Sequence, residues 1–345
     1  MRAFVFSGGA NRGSLQAGAT LALLEAGITP DIVVGSSVGS INSAVLACNP
    51  SLEGVLQIAE RWKTIRPEEI FPGNNAVAMW RLLRGHGSLH DNHALRRFIL
   101  SLLPPGTRRF ADLAVPLFVT ATRFRTGEMH LFGHDPQERI IDALMASCAV
   151  PPYLPPYQYR DELYLDGGFV SNLPISAAVE LGATEIWALE IGVDAAAMPT
   201  GGVFGTLARS VETLMRLQMH RERELVRLMQ KTGVVVHHIQ MLHYSGMDVR
   251  NFSHSPALMA LGYASAQTYL AERRQLPTES TPAEISVRSK VSVALRTTMA
   301  TQSNLARLRT DSVRSLWQRR RAVPMGLPKG LWVRRRVVPV PVDEP

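Results

Sequence analysis

Ser37 and Asp166 are side chains whose types and surroundings suit nucleophilic attack on an ester carbonyl. Ser37 lies at the centre of GSSVG, residues 35–39, which fits the G-x-S-x-G pattern of a nucleophile elbow. An elbow needs a strand before the serine, a helix after it and small neighbours, and DIVVGSSVGSINSAVLA, with Gly35 and Gly39, supplies all three. The hydroxyl would then lie at a helix N-terminus, where the dipole favours developing negative charge. The alternative interpretation is a tight turn whose serine only caps the helix.

Asp166 is the candidate base for this serine. In LYLDGGFVSNLP an apolar strand delivers the carboxylate to the Gly167-Gly168 turn, where the backbone can approach a neighbour closely. A carboxylate in a dry cleft can accept the hydroxyl proton directly. Asp-Gly is also a common turn dipeptide, which leaves an ordinary turn as the alternative. A serine–histidine–aspartate esterase using His237 or His238 is a further alternative, although only one strand precedes the serine.

A glycine-rich loop, SGGANRG at residues 7–13, lies between the first strand and a helix. Such loops point several backbone N–H groups to one place, which suits a phosphate or an oxyanion. A dinucleotide fingerprint would need glycine where Ala10 stands and an acid at the end of the second strand, whereas Asp31 opens that strand. A nucleotide or anion binder, in which Ser37 is a helix cap, stays open as an alternative.

The three motifs together resemble the patatin-like phospholipase family. GGANRG at 8–13, GSSVG at 35–39 and DGG at 166–168 occur in the order that this family shows. INSAVLA after the serine, ASCAVPPYLPP before the aspartate and SNLPISAAVELGA after it are further similarities. The resemblance covers about residues 4–280.

This resemblance implies a lipid acyl hydrolase with a dyad of Ser37 as nucleophile and Asp166 as base, working through an acyl-enzyme and without a catalytic histidine. It also implies an oxyanion loop in which backbone N–H groups face the substrate oxygen and a basic residue positions the loop or meets phosphate. The loop residues are Gly8, Gly9, Ala10, Arg12 and Gly13. The family usually has glycine where this chain has Ala10, whose side chain costs ~1 kcal/mol or more if φ is positive. An acyltransferase on the same dyad and a catalytically silent lipid- or anion-binding relative remain alternatives.

No cofactor or metal is predicted. Three histidines occur in GHGSLHDNH, where a loop is the preferred interpretation over a metal site: His86, His90 and His93. The predicted partner is a phospholipid or another fatty-acyl ester. The sequence does not define an oligomeric state.

The elements that must position these residues follow an α/β pattern. The first fifty residues read as strand, helix, strand, helix, which predicts a mostly parallel central sheet flanked by helices, as in patatin-like proteins. VPLFVTATRF (115–124) and EMHLF (128–132) predict a hairpin. We expect one catalytic domain over residues 1–284, with the motifs in about residues 4–180.

Residues 51–110, the candidate lid, are less regular and contain two amphipathic stretches. Apolar side chains there would either cover a lipid chain or simply cap the core, and both interpretations stay open. These side chains are Trp80, Leu82, Leu83 and Leu89.

Positive charge is concentrated at the C-terminal end of the sequence. Of the 345 residues, 285–345 hold 13 Lys or Arg and 3 Asp or Glu, a net charge of +10, so the preceding 284 residues carry −2. We predict a basic, loosely ordered tail that contacts an anionic membrane through its positive charges and through Trp317 and Trp332. The alternatives are that the tail contacts nucleic acid or is surrounded by solvent.

Two cysteines exclude a disulfide framework and favour small core residues in a reducing compartment. The sequence shows neither a secretion signal nor a membrane span, so we expect a cytoplasmic protein, with peripheral membrane association as an option.

Overall fold

A computed structural model of the chain describes residues 1–73, 75–193, 202–229, 233–243 and 249–275. The expected tail, residues 285–345 with both of its tryptophans, lies outside these ranges. Among the helices inside them, none combines the length and the hydropathy that crossing a bilayer requires.

Eight strands in the described ranges form one sheet, and the chain opens with the predicted order of strand, helix, strand, helix. A short strand at Tyr157–Tyr159 was not predicted. The strands are β1 (Arg2–Phe6), β2 (Ile32–Ser36), β3 (Leu117–Arg123), β4 (Met129–Phe132), β5 (Tyr157–Tyr159), β6 (Glu162–Asp166), β7 (Glu185–Val193) and β8 (Val235–His243). Strands β3, β2, β1, β7 and β8 are consecutive neighbours and run parallel. Strands β4 and β6 pair antiparallel with β3, and β5 pairs antiparallel with β6. The predicted mostly parallel central sheet is confirmed, and its antiparallel strands are confined to one side.

Helices cover both faces of this sheet. The helices are α1 (Gly13–Glu25), α2 (Val38–Cys48), α3 (Leu52–Thr64), α4 (Asn75–Leu83), α5 (His93–Leu102), α6 (Ile140–Ser147), α7 (Ile175–Glu180), α8 (Gly202–Met229) and α9 (Ser255–Gln275). Phe4 and Phe6 of β1 point to a core with α1, α2, α3, α5, α6 and α9, whereas Ala3 and Val5 point to a smaller core with α7 and α8. Because both faces are covered, the central strands are nearly continuous apolar runs.

The candidate lid, residues 51–110, consists of α3, α4, α5 and their connections. Trp62 of α3 and Phe98 of α5 are buried in the main core, so these two helices pack as part of the core. Helix α4 differs, because Trp80 and Leu83 are 52% and 80% exposed.

Candidate active site

Ser37 and Asp166 meet because strands β2 and β6 lie end to end along one edge of β3. Strand β2 runs parallel to β3 and ends at Ser36, opposite Thr120. Strand β6 runs antiparallel to β3 and ends at Asp166, opposite Ala121, the next residue of β3. Strand β4 occupies the other edge over the same stretch. The chain therefore leaves β2 and β6 at neighbouring points, and the two predicted site residues come together there.

Ser37 occupies a strained turn between β2 and α2. Its φ of +53° and ψ of −130° fall in a region that residues with a side chain rarely adopt. The flanking glycines permit the close packing of this turn. A Cβ on Gly39 would lie 2.5 Å from the carbonyl oxygen of Phe6, and one on Gly35 would lie 2.6 Å from the Cα of Ser40. Strand, strained turn and helix follow one another as the G-x-S-x-G pattern predicts.

Asp166 is fully buried, and each of its carboxylate oxygens accepts a hydrogen bond. The Ser37 hydroxyl donates to Oδ2 at 2.7 Å, and the N–H of Gly168 donates to Oδ1 at 2.8 Å. Burial raises the pKa of Asp166 to about 7, although both hydrogen bonds act in the opposite direction. Gly167 lets the turn pack against β3, since a Cβ there would lie 2.4 Å from the carbonyl oxygen of Thr120. A carboxyl group with this pKa can exchange a proton with the serine near neutral pH.

The end of helix α6 holds the backbone of both residues. Ser147, itself fully buried, accepts the N–H of Ser37 on its Oγ at 2.8 Å. Two residues later, the carbonyl of Ala149 accepts the N–H of Asp166 at 2.8 Å. Ser147 belongs to ASCAVPPYLPP, one of the segments that carry the family resemblance, but no motif marks this serine. Its partner is 110 residues away, so no local pattern could have found this contact.

The cysteines fit the predicted role as small buried residues. Both thiols are free, Cys148 being buried and Cys48 half-buried. Burial raises the pKa of the Cys148 thiol well above its ordinary value, and the charge of Asp166 adds to the effect. Burial also raises the pKa of Cys48 to about 11. Neither sulfur is held as the reactive thiolate.

The glycine-rich loop between β1 and α1 approaches Ser37 closely. A Cβ on Gly8 would lie 3.0 Å from the Cβ of Ser37 and 2.4 Å from Oδ1 of Asn172. The N–H of Gly8 donates to the carbonyl of Asn172 at 3.0 Å, so this donor is already bonded. Hydrogen bonds among the described residues occupy neither the N–H of Gly9 nor that of Ala10. These two groups are the loop donors that remain for an oxyanion.

Ala10 adopts the left-handed conformation, with φ of +52°. This conformation costs an alanine about 1–2 kcal/mol, the unfavourable case that the sequence left open. Arg12, only 5% exposed, follows in a 3₁₀ turn in which its N–H donates to the carbonyl of Gly9 at 3.2 Å. Gly13 then starts α1 against the indole of Trp62, which lies 2.4 Å from where a Cβ would be. The loop is thus fixed from both ends.

An apolar cavity of about 180 Å³ is lined by the glycine loop, Ser37 and Asp166. The candidate lid contributes five apolar lining residues: Trp62, Ile70, Phe71, Leu95 and Phe98. Helix α8 contributes three apolar lining residues and one arginine: Val211, Met215, Met219 and Arg216. No sequence motif marks α8 as part of the site. Helix α4 supplies none of the lining residues in the described ranges, so its exposed side chains do not close this cavity.

The histidines proposed for a serine–histidine–aspartate esterase lie far from Ser37 in the sheet. His237 and His238 are on β8, and β1 and β7 separate β8 from β2. His237 is buried beside Tyr269, and burial lowers its pKa to about 4. His238 Nε2 lies 2.6 Å from a carboxylate oxygen of Glu190. This arrangement does not support that alternative.

His90 of the predicted loop 86–93 is buried, with Nδ1 3.0 Å from the carbonyl oxygen of Pro72. Over the described ranges, no three His, Cys, Asp or Glu side chains come together in a group that could hold a metal ion.

Comparison with known proteins identifies a family and several similar proteins. The family described as Patatin-like phospholipase matches residues 4–179, just over half of the 345 residues. The chain is 30% identical over 194 residues to the patatin-like phospholipase domain-containing protein ZK370.4 of Caenorhabditis elegans. It is 29% identical over 192 residues to human patatin-like phospholipase domain-containing protein 6, and 29% identical over 194 residues to lysophospholipase NTE1 of Phaeosphaeria nodorum. These matches take in 54–55% of this chain but only 12–13% of each relative.

Solved structures give weaker similarity. VipD from Legionella pneumophila aligns with a TM-score of 0.45 and 15% identity, over 79% of this chain and 67% of that one. ExoU from Pseudomonas aeruginosa, in complex with SpcU, aligns with a TM-score of 0.42 and 15% identity, over 80% of this chain and 53% of that one. The match over residues 4–179 decides the classification, and the chain belongs to the patatin-like phospholipase family.

Proposed function

We propose that this protein is a lipid acyl hydrolase in which Ser37 is the nucleophile and Asp166 is its base. The observation that carries the proposal is the 2.7 Å hydrogen bond from Ser37 Oγ to Asp166 Oδ2 in the lining of an apolar cavity. Membership in the patatin-like phospholipase family and the lysophospholipase among the relatives support the same chemistry.

In the acylation step, Asp166 takes the proton of the Ser37 hydroxyl while Oγ forms a bond to the ester carbonyl carbon. The carbonyl oxygen becomes an oxyanion, and the N–H groups of Gly9 and Ala10 donate to it. When the tetrahedral intermediate collapses, the bond to the alcohol oxygen breaks, and that oxygen takes the proton from Asp166. The products are the free alcohol and an acyl ester of Ser37.

In the deacylation step, a water molecule gives a proton to Asp166 and attacks the acyl carbon. Collapse of the second tetrahedral intermediate breaks the bond to Ser37 Oγ, which recovers the proton from Asp166. The product is a fatty acid. The pKa of Asp166, about 7 in its buried position, suits a group that must both accept and return a proton.

The lining of the cavity favours an acyl chain as the part of the substrate that is bound. Trp62, Phe71 and Phe98 of the candidate lid line it, together with Met215 and Met219 of α8. Burying apolar surface contributes about 25 cal/mol per Å², so a fatty-acyl chain gains affinity from this lining where a polar acyl group does not.

The test is release of fatty acid from phospholipid, lysophospholipid and monoacylglycerol in detergent micelles by the wild type, Ser37→Ala and Asp166→Asn. Ser36→Ala is the matched control, since Ser36 is the adjacent buried serine on β2. The proposal predicts activity in the wild type and the control, and loss of about a thousandfold or more in both dyad variants. Activity that survives in Ser37→Ala would show that the serine turn is only a turn.

We also propose peripheral contact with a lipid surface. Helix α4 exposes Val77, Trp80 and Leu83, and the guanidinium of Arg84 lies 5.0 Å from the centre of the Trp80 ring. Exposed apolar side chains next to cations suit an anionic membrane surface. In this proposal residues 1–284 form the catalytic domain, and the basic residues 285–345 add attraction to the same surface.

A further inference from the structure

Arg216 of helix α8 is a cavity residue that forms no ion pair within the described part of the chain. It lines the same cavity as Ser37 and Asp166. Its Nε is buried, and it has no hydrogen-bond partner in the described part of the chain. A buried N–H without an acceptor is unfavourable, so the Nε of this half-buried arginine is suited to a negatively charged ligand.

Helix α8 is fixed near this position by two buried carboxylates. Arg223, about two turns from Arg216, forms an ion pair with the fully buried Glu190. Glu222 accepts hydrogen bonds from the hydroxyls of Ser171 and Ser176. These contacts hold the helix against the sheet, and Arg216 is therefore presented to the cavity by an anchored element.

The charges around the cavity are unbalanced. Its charged lining residues are Arg12, Arg216 and Asp166. Asp166 is occupied by Ser37 and Gly168, whereas Arg216 carries a permanent positive charge. Among the described lining residues, no second carboxylate is present to bind an ammonium group. The cavity thus favours a substrate with net negative charge near its ester.

We propose that Arg216 binds the phosphate of an acyl-ester substrate and selects substrates with an anionic head group over choline-bearing ones. This inference rests on the proposed hydrolase function and names its substrate class. Arg216 lies outside residues 4–179, the part of the chain that the family match covers, so family membership does not supply it. The guanidinium offers a planar pair of donors that two phosphate oxygens can accept.

The lining also offers one feature that works against this selection. Trp62 and Phe252, with ring centres 6.3 Å apart, both line the cavity. Aromatic faces bind quaternary ammonium groups such as choline. If these rings bound the head group, the protein would prefer choline-bearing substrates. A preference for the anionic substrate therefore indicates binding by Arg216, and a preference for choline indicates binding by the rings.

The test compares hydrolysis of acyl glycerophosphate, acyl glycerophosphocholine and monoacylglycerol, all with one acyl chain and in the same neutral detergent micelles. The wild type is expected to favour acyl glycerophosphate by about tenfold or more in kcat/KM. Arg216→Gln is expected to reduce that preference about ten- to a hundredfold, mainly through KM, and Arg216→Lys to restore part of it. Arg221→Gln, at an exposed arginine of the same helix, is the matched control and should keep the wild-type preference.

The inference would be overturned if the wild type hydrolysed acyl glycerophosphocholine as well as or better than acyl glycerophosphate. It would also be overturned if Arg216→Gln lowered kcat/KM equally for all three substrates. If the protein hydrolyses none of the three substrates, that result counts against the proposed function. The inference about Arg216 is then tested by ligand binding. Decyl phosphate and decyl trimethylammonium are titrated into the wild type and Arg216→Gln below their micelle concentrations. The inference is supported if the wild type binds decyl phosphate more tightly than decyl trimethylammonium and Arg216→Gln lacks this preference. It is contradicted if decyl phosphate binds equally to the wild type and to Arg216→Gln.

Discussion

Ser147 Oγ accepts the backbone N–H of Ser37 at 2.8 Å, so the end of one helix fixes the turn that carries the proposed nucleophile. The same helix end binds the N–H of Asp166 through the carbonyl of Ala149. The relative position of the two dyad residues therefore depends on a short segment that takes no part in the proposed chemistry. This makes Ser147 a positioning residue.

Ser147→Ala should lower kcat more than it changes KM. The substitution leaves the N–H of Ser37 without its acceptor, which costs about 1–3 kcal/mol at a buried site. A small shift of Ser37 relative to Asp166 would reduce kcat by about ten- to a hundredfold, since proton transfer depends on their hydrogen-bond geometry. Steady-state kinetics and thermal unfolding of the purified variant measure both effects.

The control for this variant is Ser265→Ala, because Ser265 is also buried and its hydroxyl donates within α9 to the carbonyl of Leu261. It removes a buried hydroxyl away from the site and should keep the wild-type kcat. Equal kcat in Ser147→Ala and the wild type would show that the turn holds its geometry without this contact.

The pKa of Asp166 predicts how activity changes with pH. Burial raises this pKa from 3.8 to about 7, and the base must be ionised to accept a proton. The value of kcat/KM for a substrate without ionisable groups should therefore rise as pH increases through about 7 and level off above it. A profile that is flat between pH 5.5 and 8.5 would mean that Asp166 does not control the rate.

The same pKa predicts that stability falls with rising pH, whereas activity rises. Between about pH 4 and 7 the folded state holds a proton on Asp166 that the unfolded state has lost, so the free energy of unfolding falls as pH rises. Asp166→Asn removes this dependence, and its melting temperature relative to the wild type should increase from pH 5 to pH 8. Thermal unfolding across that range measures the difference.

Asp112→Asn is the control for the stability experiment. Hydrogen bonds from the backbone N–H groups of Arg108 and Arg109 lower the pKa of Asp112, so it stays ionised from pH 5 to 8. Its variant should differ from the wild type by a constant amount over this range. A constant difference for Asp166→Asn as well would refute the raised pKa.

We expect activity to fall from Ala10→Gly to the wild type and from the wild type to Ala10→Val. Each of the three keeps the backbone N–H, but φ at this position is +52°. Glycine adopts this conformation readily, alanine at a cost of about 1–2 kcal/mol, and a β-branched valine only as an outlier. Activity of Ala10→Val equal to that of the wild type would show that the loop N–H is not needed at this conformation. Release of fatty acid and melting temperatures of the two variants test the order.

Trp80→Ala combined with Leu83→Ala should weaken binding to lipid vesicles. Each side chain contributes about 1.5–3 kcal/mol when it is transferred from water to an apolar phase, so the pair accounts for a tenfold loss or more. Co-sedimentation with vesicles containing anionic lipid measures the partition, and hydrolysis of a water-soluble short-chain ester reports the site itself. Phe124→Ala, at an aromatic side chain that is 50% exposed outside the candidate lid, is the control. The proposed contact is ruled out if the double variant sediments with vesicles as much as the wild type and Phe124→Ala do.

Much of the fold could be predicted from local patterns. The strand, helix, strand, helix order before residue 50 follows from apolar runs and helical spacing, both of which neighbours in sequence determine. Ser37 and Asp166 were recognisable because glycines mark the turns that carry them.

The contacts that complete the site are long-range and have no such marker. Strands β2 and β6 meet end to end only because both pair with β3, and pairing partners are not encoded in either strand alone. Ser147 and Arg216 are an ordinary serine and an ordinary arginine of helices until the chain folds around the cavity. The sign of φ at Ala10 was equally undetermined, since alanine has no local preference for the left-handed conformation.

The most direct test of the central claim is intact-mass and peptide analysis of the protein after reaction with a fluorophosphonate that carries an alkyl chain. The wild type should gain one adduct, located on Ser37, since an activated serine displaces fluoride from phosphorus. Ser37→Ala should gain none, and Asp166→Asn should react at least a hundredfold more slowly. An adduct on another residue, or equal labelling of the wild type and Asp166→Asn, would contradict the dyad.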